Sequence, residues 1–204
     1  MFSYRNSNVS DILIRKVNFK KFRYTIILII NYDNTLNSNL GIKVKNVKIV
    51  LTDVDGTLTD GGMYYSSKGD VMKKFYVRDG MAVNILRRNG IFTVLVTKEK
   101  SDIVKKWAKK MNVRKIHEGI TNKEKILPRI CKEYRVKPEQ IVYIGDDIND
   151  IGLMKMVGIS VAPADALKKT RRIADFVTKA TGGNGVLREV ADLILENRID
   201  KTIL

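Results

Sequence analysis

The stretch "VLTDVDGTLTDGG", Val50 to Gly62, places two aspartates and a glycine directly after an apolar run. Asp53 and Asp55 are separated by one residue, and residues two apart in an extended segment project to the same side. Both carboxylates can therefore face one reaction centre. A plain turn is the alternative, because Asp and Gly are common wherever a strand ends in a polar loop.

From Val47 onward the chain alternates short apolar runs with amphipathic segments. Runs typical of strands, "VKIVLT", "IFTVLVT" and "QIVYIGDD", are separated by segments typical of helices, such as "DGMAVNILRRNG" and "SDIVKKWAKKMN". This alternation indicates βαβ units. We therefore predict an α/β fold, namely a Rossmann-like, doubly wound parallel sheet with helices on both faces.

Residues that begin and end helices agree with this pattern. Asp79 and Ser101 stand where N-caps belong, and Gly90 stands where a helix would end before the next strand. Pro128, inside "NKEKILPRICKEYR", is expected to kink or shorten its helix, because proline cannot donate the helical hydrogen bond.

The length of 204 residues suits one compact domain with a real core. We expect an N-terminal extension over residues 1–45 and a single domain over residues 46–204. The apolar run of the extension, "YTIILII", is too short to span a bilayer, so no membrane partner is expected. The single cysteine rules out an internal disulfide and, with no recognisable secretory signal, predicts a cytoplasmic protein.

The formal net charge of +16 is unusually high. It suits a nucleic-acid face, a polyanionic partner or a small phosphorylated substrate that is steered by the field. The basic residues are scattered and lack interleaved aromatic side chains, so we favour a lysine-rich surface over nucleic-acid binding. A basic nucleic-acid-binding protein is kept as an alternative.

Three predicted strands end in polar residues that bear chemistry. The first ends at Asp53 and Asp55, the second at Thr97, and a later one at Asp146 in "GDDIND". Sites of open α/β sheets lie outside the carboxyl ends of their strands. Mg²⁺ prefers oxygen ligands, which Asp53 and Asp146 supply, and Lys123, near a predicted helix start, offers a second positive group.

The ordered set D-x-D-G-T, strand-end Thr, Lys and G-D-D-x-x-D resembles the haloacid dehalogenase superfamily of phosphotransferases, and the second Asp of D-x-D is the mark of its phosphatases and mutases. The resemblance implies that Asp53 attacks phosphorus and that Asp55 carries the proton. It also implies that Thr97 and Lys123 stabilise the phosphoryl oxygens. The implied Mg²⁺ ligands are Asp53, Asp55 and Asp146.

The gap between Thr57 and Asp79 has no room for a cap domain. It is predicted to form a β-hairpin flap that turns near residues 67–70. Without a lid the site is open to water unless a neighbouring subunit covers it. We therefore expect a homo-oligomer.

This capless form resembles the phosphatases of 3-deoxy-manno-octulosonate 8-phosphate and their sialic-acid-type relatives, which are typically tetramers. The segments that carry the resemblance are "LTDGGMYY", "FYVRDG", "YIGDDIND", "GISVAPADA" and "TGGNGVLREV". It implies that the substrate is held by Asp55 and Lys123 and by Val77, Arg78, Asp79 and Gly80. A surface salt bridge is the alternative for Arg78. We interpret "TGGNGVLREV" as a flexible turn before the last helix; a phosphate cradle is the alternative.

One motif departs from the octulosonate enzymes, which typically read T-G-R where this chain has Thr97-Lys98-Glu99. Glu99 and Lys110 resemble instead the branch that acts on nine-carbon acids. We therefore expect a Mg²⁺-dependent phosphatase of a phosphorylated sugar acid, with 2-keto-3-deoxynononate or N-acylneuraminate 9-phosphate favoured over 3-deoxy-manno-octulosonate 8-phosphate. An idle regulatory subunit of a sugar-nucleotide pathway is a further alternative.

Overall fold

The computed structural model describes Leu40 and residues 43–198. The extension expected over residues 1–45 lies almost entirely outside the described residues. The remaining chain contains a parallel sheet whose strands are β1 (Ile49–Thr52), β4 (Phe92–Val96), β5 (Lys115–His117), β6 (Ile141–Ile144), β7 (Ile159–Ala162) and β8 (Phe176–Val177). A separate antiparallel hairpin consists of β2 (Tyr64–Ser66) and β3 (Gly69–Met72).

The sheet has the strand order β5-β4-β1-β6-β7-β8, so β1 pairs in parallel with β4 on one side and with β6 on the other. The chain therefore leaves β1 toward one edge and later returns to build the other half. Such a reversal opens a crevice at the carboxyl end of the central strand. The predicted doubly wound sheet is confirmed.

Within the described residues, five α-helices lie between strands, namely α1 (Val77–Arg88), α2 (Asp102–Met111), α3 (Leu127–Tyr134), α4 (Ile151–Met154) and α5 (Lys168–Ile173), and α6 (Val186–Glu196) follows β8. Alternate residues of β1 serve opposite faces: Val50 packs in the core with α1, α2 and α6, whereas Ile49 and Leu51 pack in the core with α3 and α4. Each fully buried aliphatic side chain contributes about 1.5–3 kcal/mol. A slip of one residue would exchange the two faces, so packing fixes the register.

Three of the predicted helix signals are confirmed and one is wrong. Ser101 is the N-cap of α2, and Gly90, with φ +73°, follows the end of α1. Pro128 lies in the first turn of α3, where its missing N–H costs nothing, and so it shortens the helix as expected. Asp79 is not an N-cap, because α1 already begins at Val77 and the Asp79 side chain points into the protein.

The expected hairpin is present between β1 and α1, and no cap domain interrupts the described chain. The tip of the hairpin is formed by residues 67 and 68. Among the described residues, none of the helices is both long and apolar enough to cross a membrane.

Candidate active site

The carboxyl ends of the central strands collect the polar residues that the sequence singled out. Asp53 follows β1, Thr97 follows β4, and Asp146 comes two residues after β6. Since β1 is paired in parallel with both neighbours, these three residues lie at one edge of the sheet. Asp53 and Thr97 are both buried.

Lys123 lies at the centre of this edge. It begins a short 3-10 turn, Lys123–Ile126, and its Nζ lies 2.8 Å from Asp53 Oδ1 and 2.7 Å from Asp150 Oδ1. Burial acts to lower the pKa of Lys123, but the two carboxylates outweigh it and raise that pKa. A fully buried ammonium is thus held charged beside Asp53.

Asp150 is a site residue of the "GDDIND" motif for which the sequence pattern predicts no role. Its carboxylate accepts hydrogen bonds from Lys123, from the Tyr143 hydroxyl, and from the backbone N–H groups of Asp146 at 2.9 Å and Asp147 at 3.1 Å. All these donors converge on one buried side chain. Asp150 therefore fixes both Lys123 and the turn that carries Asp146.

Three carboxylates form an acidic cluster that fits a divalent cation. One oxygen from each of Asp53, Asp146 and Asp150 lies within 4.8 Å of the others. Burial raises the pKa of Asp53 to about 7 and that of Asp146 to about 8, and repulsion between the carboxylates adds to both shifts. The single ammonium of Lys123 therefore does not balance the three carboxylates, and oxygen donors of this kind suit Mg²⁺. Because donors already occupy both oxygens of Asp150, Asp53 and Asp146 are the ligands available to it.

The carboxylate of Asp55 lies outside this cluster, and its expected role as a Mg²⁺ ligand stays a prediction. Lys73 Nζ lies 2.7 Å from Asp55 Oδ1, and the Thr59 hydroxyl contacts the same oxygen at 3.3 Å. The hairpin brings Lys73 to this place. Asp150 therefore takes the third position in the acidic cluster, and the Asp55 side chain is held beside it.

Glycines allow the surrounding loops to approach closely. Gly56 has φ +85°, and a Cβ added there would overlap the Asp146 carboxylate. A Cβ on Gly182 would meet the backbone oxygens of Gly56 and Thr59, and Gly183 N–H donates to Thr57 O at 3.0 Å. The expected turn before the last helix is present, and this "TGGNG" segment forms a wall packed against the loop after β1.

The four residues of the "VRDG" segment are split by the structure. Val77 is 78% exposed and Arg78 is also exposed, whereas Asp79 and Gly80 are buried. Asp79 Oδ1 accepts a hydrogen bond of 2.9 Å from the backbone N–H of Arg188 in the first turn of α6. A Cβ on Gly80 would collide with Met111 of α2. Only Val77 and Arg78 thus present their side chains to solvent, and we find Asp79 and Gly80 engaged in packing.

Arg78 forms no salt bridge within the described part of the chain. Its guanidinium lies 5.9 Å from the centre of the Tyr76 ring. It borders a cavity of about 480 Å³ that Asn184 and Arg188 also line. The guanidinium therefore has donors to spare for an anionic ligand.

Glu99 and Lys110 lie at different ends of the fold. Glu99 is exposed in the loop after β4, where its backbone N–H contacts Thr97 Oγ1 at 3.3 Å. Lys110 is exposed in the last turn of α2, which runs away from the site, about 12 Å along the axis from Asp102. The fold therefore places Glu99, but not Lys110, at the edge of the sheet where the site lies.

Comparisons with known proteins agree with this arrangement. A family model for haloacid dehalogenase-like hydrolases matches residues 91–190, which contain Thr97, Lys123 and Asp146. The 3-deoxy-D-manno-octulosonate 8-phosphate phosphatase of Escherichia coli (strain B / BL21-DE3) is 33% identical over 160 residues, which cover 78% of this chain and 85% of that protein.

Two solved structures are similar over most of the chain. The 3-deoxy-D-manno-octulosonate 8-phosphate phosphatase from Moraxella catarrhalis, in complex with magnesium ion, phosphate ion and KDO, gives a TM-score of 0.75 at 33% identity and covers 81% of this chain and 92% of that one. The cobalt-bound phosphatase from Haemophilus influenzae gives a TM-score of 0.75 at 33% identity, with 79% and 95% covered.

Proposed function

Because this chain belongs to the 3-deoxy-D-manno-octulosonate 8-phosphate phosphatase family of haloacid dehalogenase-like hydrolases, we propose that it hydrolyses the phosphate ester of an eight- or nine-carbon 2-keto-3-deoxy sugar acid. It is a phosphoric monoester hydrolase. The observation that carries the proposal is Lys123, a buried ammonium held between Asp53 and Asp150 at the carboxyl end of the central strand.

Asp53 is proposed as the nucleophile. Its carboxylate oxygen forms a bond to phosphorus while the bond from phosphorus to the leaving alcohol breaks, which gives an aspartyl-phosphate. Asp55 supplies the proton to the leaving oxygen and later removes a proton from the water that attacks the acyl phosphate. Inorganic phosphate leaves and Asp53 is regenerated. Since its carboxylate is turned to Lys73, the Asp55 side chain is assigned to proton transfer.

Lys123 and Thr97 are proposed to stabilise the transferring phosphoryl group. Lys123 is positioned beside Asp53 before substrate arrives, because it donates a hydrogen bond to Asp150, whose carboxylate also accepts one from the Tyr143 hydroxyl. Preorganised charge of this kind usually contributes more than any other effect to the catalysis of phosphoryl transfer. Mg²⁺, which the Moraxella catarrhalis relative binds, would be held by Asp53 and Asp146 and supplies charge that offsets the phosphoryl oxygens.

A nine-carbon substrate, 2-keto-3-deoxynononate or N-acylneuraminate 9-phosphate, is proposed on the strength of Glu99. Its negative charge stands next to Thr97 where an arginine would favour an acidic sugar of the octulosonate type. Lys110, being exposed and remote from its own site, supports this branch only through the site of a neighbouring subunit. 3-Deoxy-manno-octulosonate 8-phosphate is the second candidate.

A homotetramer is proposed as the form that closes the site. The hairpin and the start of α1 expose large apolar side chains, namely Met63, Tyr64, Tyr65, Val71, Met72, Val77 and Met81. A two-stranded hairpin is marginally stable alone, and exposed apolar patches mark interaction sites. A second copy could therefore cover both the hairpin and the open edge of the sheet. We also propose a cytoplasmic location. A monomer by sedimentation velocity would contradict this part of the proposal.

The decisive experiment is a substrate panel with purified protein. Phosphate release is measured with Mg²⁺ and with EDTA for phosphorylated eight- and nine-carbon keto acids and for simple phosphate esters. We expect Mg²⁺-dependent turnover with the nine-carbon acids fastest. Fast turnover of the octulosonate ester alone would reject the nine-carbon preference. If folded protein shows no turnover, catalysis is rejected and an idle regulatory subunit is favoured. Tight, salt-dependent binding of mixed-sequence DNA would favour a nucleic-acid-binding role.

A further inference from the structure

Lys73 makes a partly buried contact with the carboxylate proposed to carry the proton. Its Nζ lies 2.7 Å from Asp55 Oδ1 and 3.7 Å from Asp70 Oδ2, and its side chain is only 6% exposed. Lysines are rarely so buried unless they are paired. Burial acts to lower the pKa of Lys73, but the bond to Asp55 outweighs it and raises that pKa, so the ammonium is retained.

The two contacts of the Asp55 carboxylate fall on the same oxygen. Lys73 and the Thr59 hydroxyl both donate to Oδ1, and Oδ2 has no hydrogen-bond partner among the described residues. A protonated carboxyl carries a single O–H, and an ammonium donates but cannot accept. The oxygen that Lys73 holds is therefore a poor place for the proton, which is left to Oδ2.

The backbone around Lys73 is anchored along the catalytic loop. Phe75, two residues further on, forms an isolated antiparallel bridge with Thr59. Its ring stacks on Trp107 of α2, with ring centres 4.5 Å apart and planes 11° apart. The strand that returns from the hairpin is thus fixed between α2 and the loop, which sets the position of Lys73 relative to Asp55.

We propose that Lys73 is a positioning residue for phosphoryl transfer, which holds Oδ1 of Asp55 so that Oδ2 presents the proton to the leaving alcohol. The inference rests on the proposed function, because it presupposes that Asp55 is the general acid. In the step concerned, the O–H bond on Oδ2 breaks, its proton passes to the leaving oxygen, and the phosphorus–oxygen bond of the ester breaks as Asp53 bonds to phosphorus.

Leaving-group dependence separates this role from a merely structural one. A good leaving group, such as a nitrophenolate, departs without a proton, whereas an alkoxide needs one. We expect Lys73→Met to lower kcat/KM for an alkyl phosphate by roughly tenfold to a hundredfold, part of the about 10²–10⁴-fold that a general acid contributes. For p-nitrophenyl phosphate kcat/KM should fall less than about threefold, since that step no longer depends on the acid.

Two further variants make the comparison sharp. Lys73→Arg keeps a cation at this place and should restore much of the alkyl phosphate activity. Lys68→Met, at the exposed tip of the same hairpin, removes a lysine that forms no ion pair with the described residues and should leave both substrates unchanged. Circular dichroism and thermal unfolding establish that each variant is folded.

The outcomes distinguish the inference from the proposed function. An inactive wild-type enzyme would reject the proposed function itself. If Asp55→Asn lowers kcat/KM, which reports the phosphorylation step, by the same factor for both substrates, the general-acid role of Asp55 is rejected and the inference with it. Asp55→Asn can instead lower kcat/KM selectively for the alkyl phosphate while Lys73→Met lowers kcat/KM for both substrates by the same factor. In that case only the role of Lys73 is overturned. Equal loss in Lys73→Arg and Lys73→Met would also overturn it.

Discussion

Asp79 Oδ1 accepts a hydrogen bond of 2.9 Å from the backbone N–H of Arg188, so a side chain in the first turn of α1 caps the first turn of α6. A carboxylate at a helix N-terminus satisfies donors that the helix leaves unpaired. The residues just before α6 form the wall against the loop after β1. Asp79 therefore anchors the start of α6, which directly follows that wall.

The burial of Asp79 predicts a specific dependence of stability on pH. Burial raises the pKa of Asp79 from 3.8 to about 6. The folded state thus binds the proton more tightly than the unfolded state. The stability that this proton adds is therefore complete below about pH 4 and is lost as the pH rises through about 6. Asp79→Asn mimics the neutral form. The free energy of unfolding of the wild type minus that of the variant should fall by on the order of 3 kcal/mol between about pH 4 and pH 7. Urea unfolding measures both free energies. If they change by the same amount across that pH range, the prediction is wrong.

Gly182→Ala is expected to impair catalysis while leaving the protein folded. The added methyl group meets the backbone oxygens of Gly56 and Thr59, so the catalytic loop must shift. A displacement of about 1 Å can cost about a hundredfold, and we expect kcat to fall by roughly that factor. Gly90→Ala is the control, because it adds backbone strain of about 1–2 kcal/mol at φ +73° but meets no atom within 4 Å. Equal kcat values in the two variants would show that the packing does not matter for turnover.

Asp53→Asn is expected to abolish turnover through loss of the covalent intermediate. An amide oxygen is a poor nucleophile, and the variant leaves the Lys123 ammonium facing a neutral group. Rapid quenching followed by mass spectrometry should find a phosphorylated aspartate in the wild type and none in the variant. Asp102→Asn, which changes an exposed aspartate whose one ion pair among the described residues is with Lys105, serves as the matched control. Phosphate release by Asp53→Asn at the wild-type rate would reject the covalent route.

Glu99→Arg is expected to move substrate preference toward the octulosonate ester. The change reverses charge beside Thr97 and offers a forked donor to a carboxylate. The ratio of kcat/KM for the eight-carbon ester to that for the nine-carbon ester should rise by about tenfold or more. Glu139→Arg makes the same charge change in an exposed residue before β6, at the opposite edge of the sheet, and should leave the ratio unchanged. An unaltered ratio in Glu99→Arg would remove Glu99 from the determinants of specificity.

The sequence predicts those parts of the site that follow from strand ends. Asp53, Thr97 and Asp146 come together because parallel pairing of β1 with β4 and β6 aligns their carboxyl ends. Lys123 could be placed because it begins a helical turn that faces the same edge. Such residues depend only on the order of strands and on local periodicity, which the pattern of apolar runs reveals.

Residues that act through distant contacts could not be predicted in this way. Lys73 reaches Asp55 only because the hairpin folds back over the loop, and nothing in "VMKKFY" distinguishes it from Lys74. Asp79 reads as an N-cap, although its partner is the backbone of a helix 109 residues later. Asp150 has no visible role until four donors are seen to converge on it.

The wall that Gly182 and Gly183 form also bears on biosynthesis. During synthesis, Asp53 and its loop leave the ribosome long before Gly182 and Gly183 do. A nascent chain therefore carries its nucleophile before the wall that packs against this loop is present. We therefore expect the chain to have no phosphatase activity during most of its translation and to gain it only when α6 has emerged from the ribosome. Stalled chains that end before Thr181 should therefore release no phosphate, whereas chains that expose residues through Glu196 should do so.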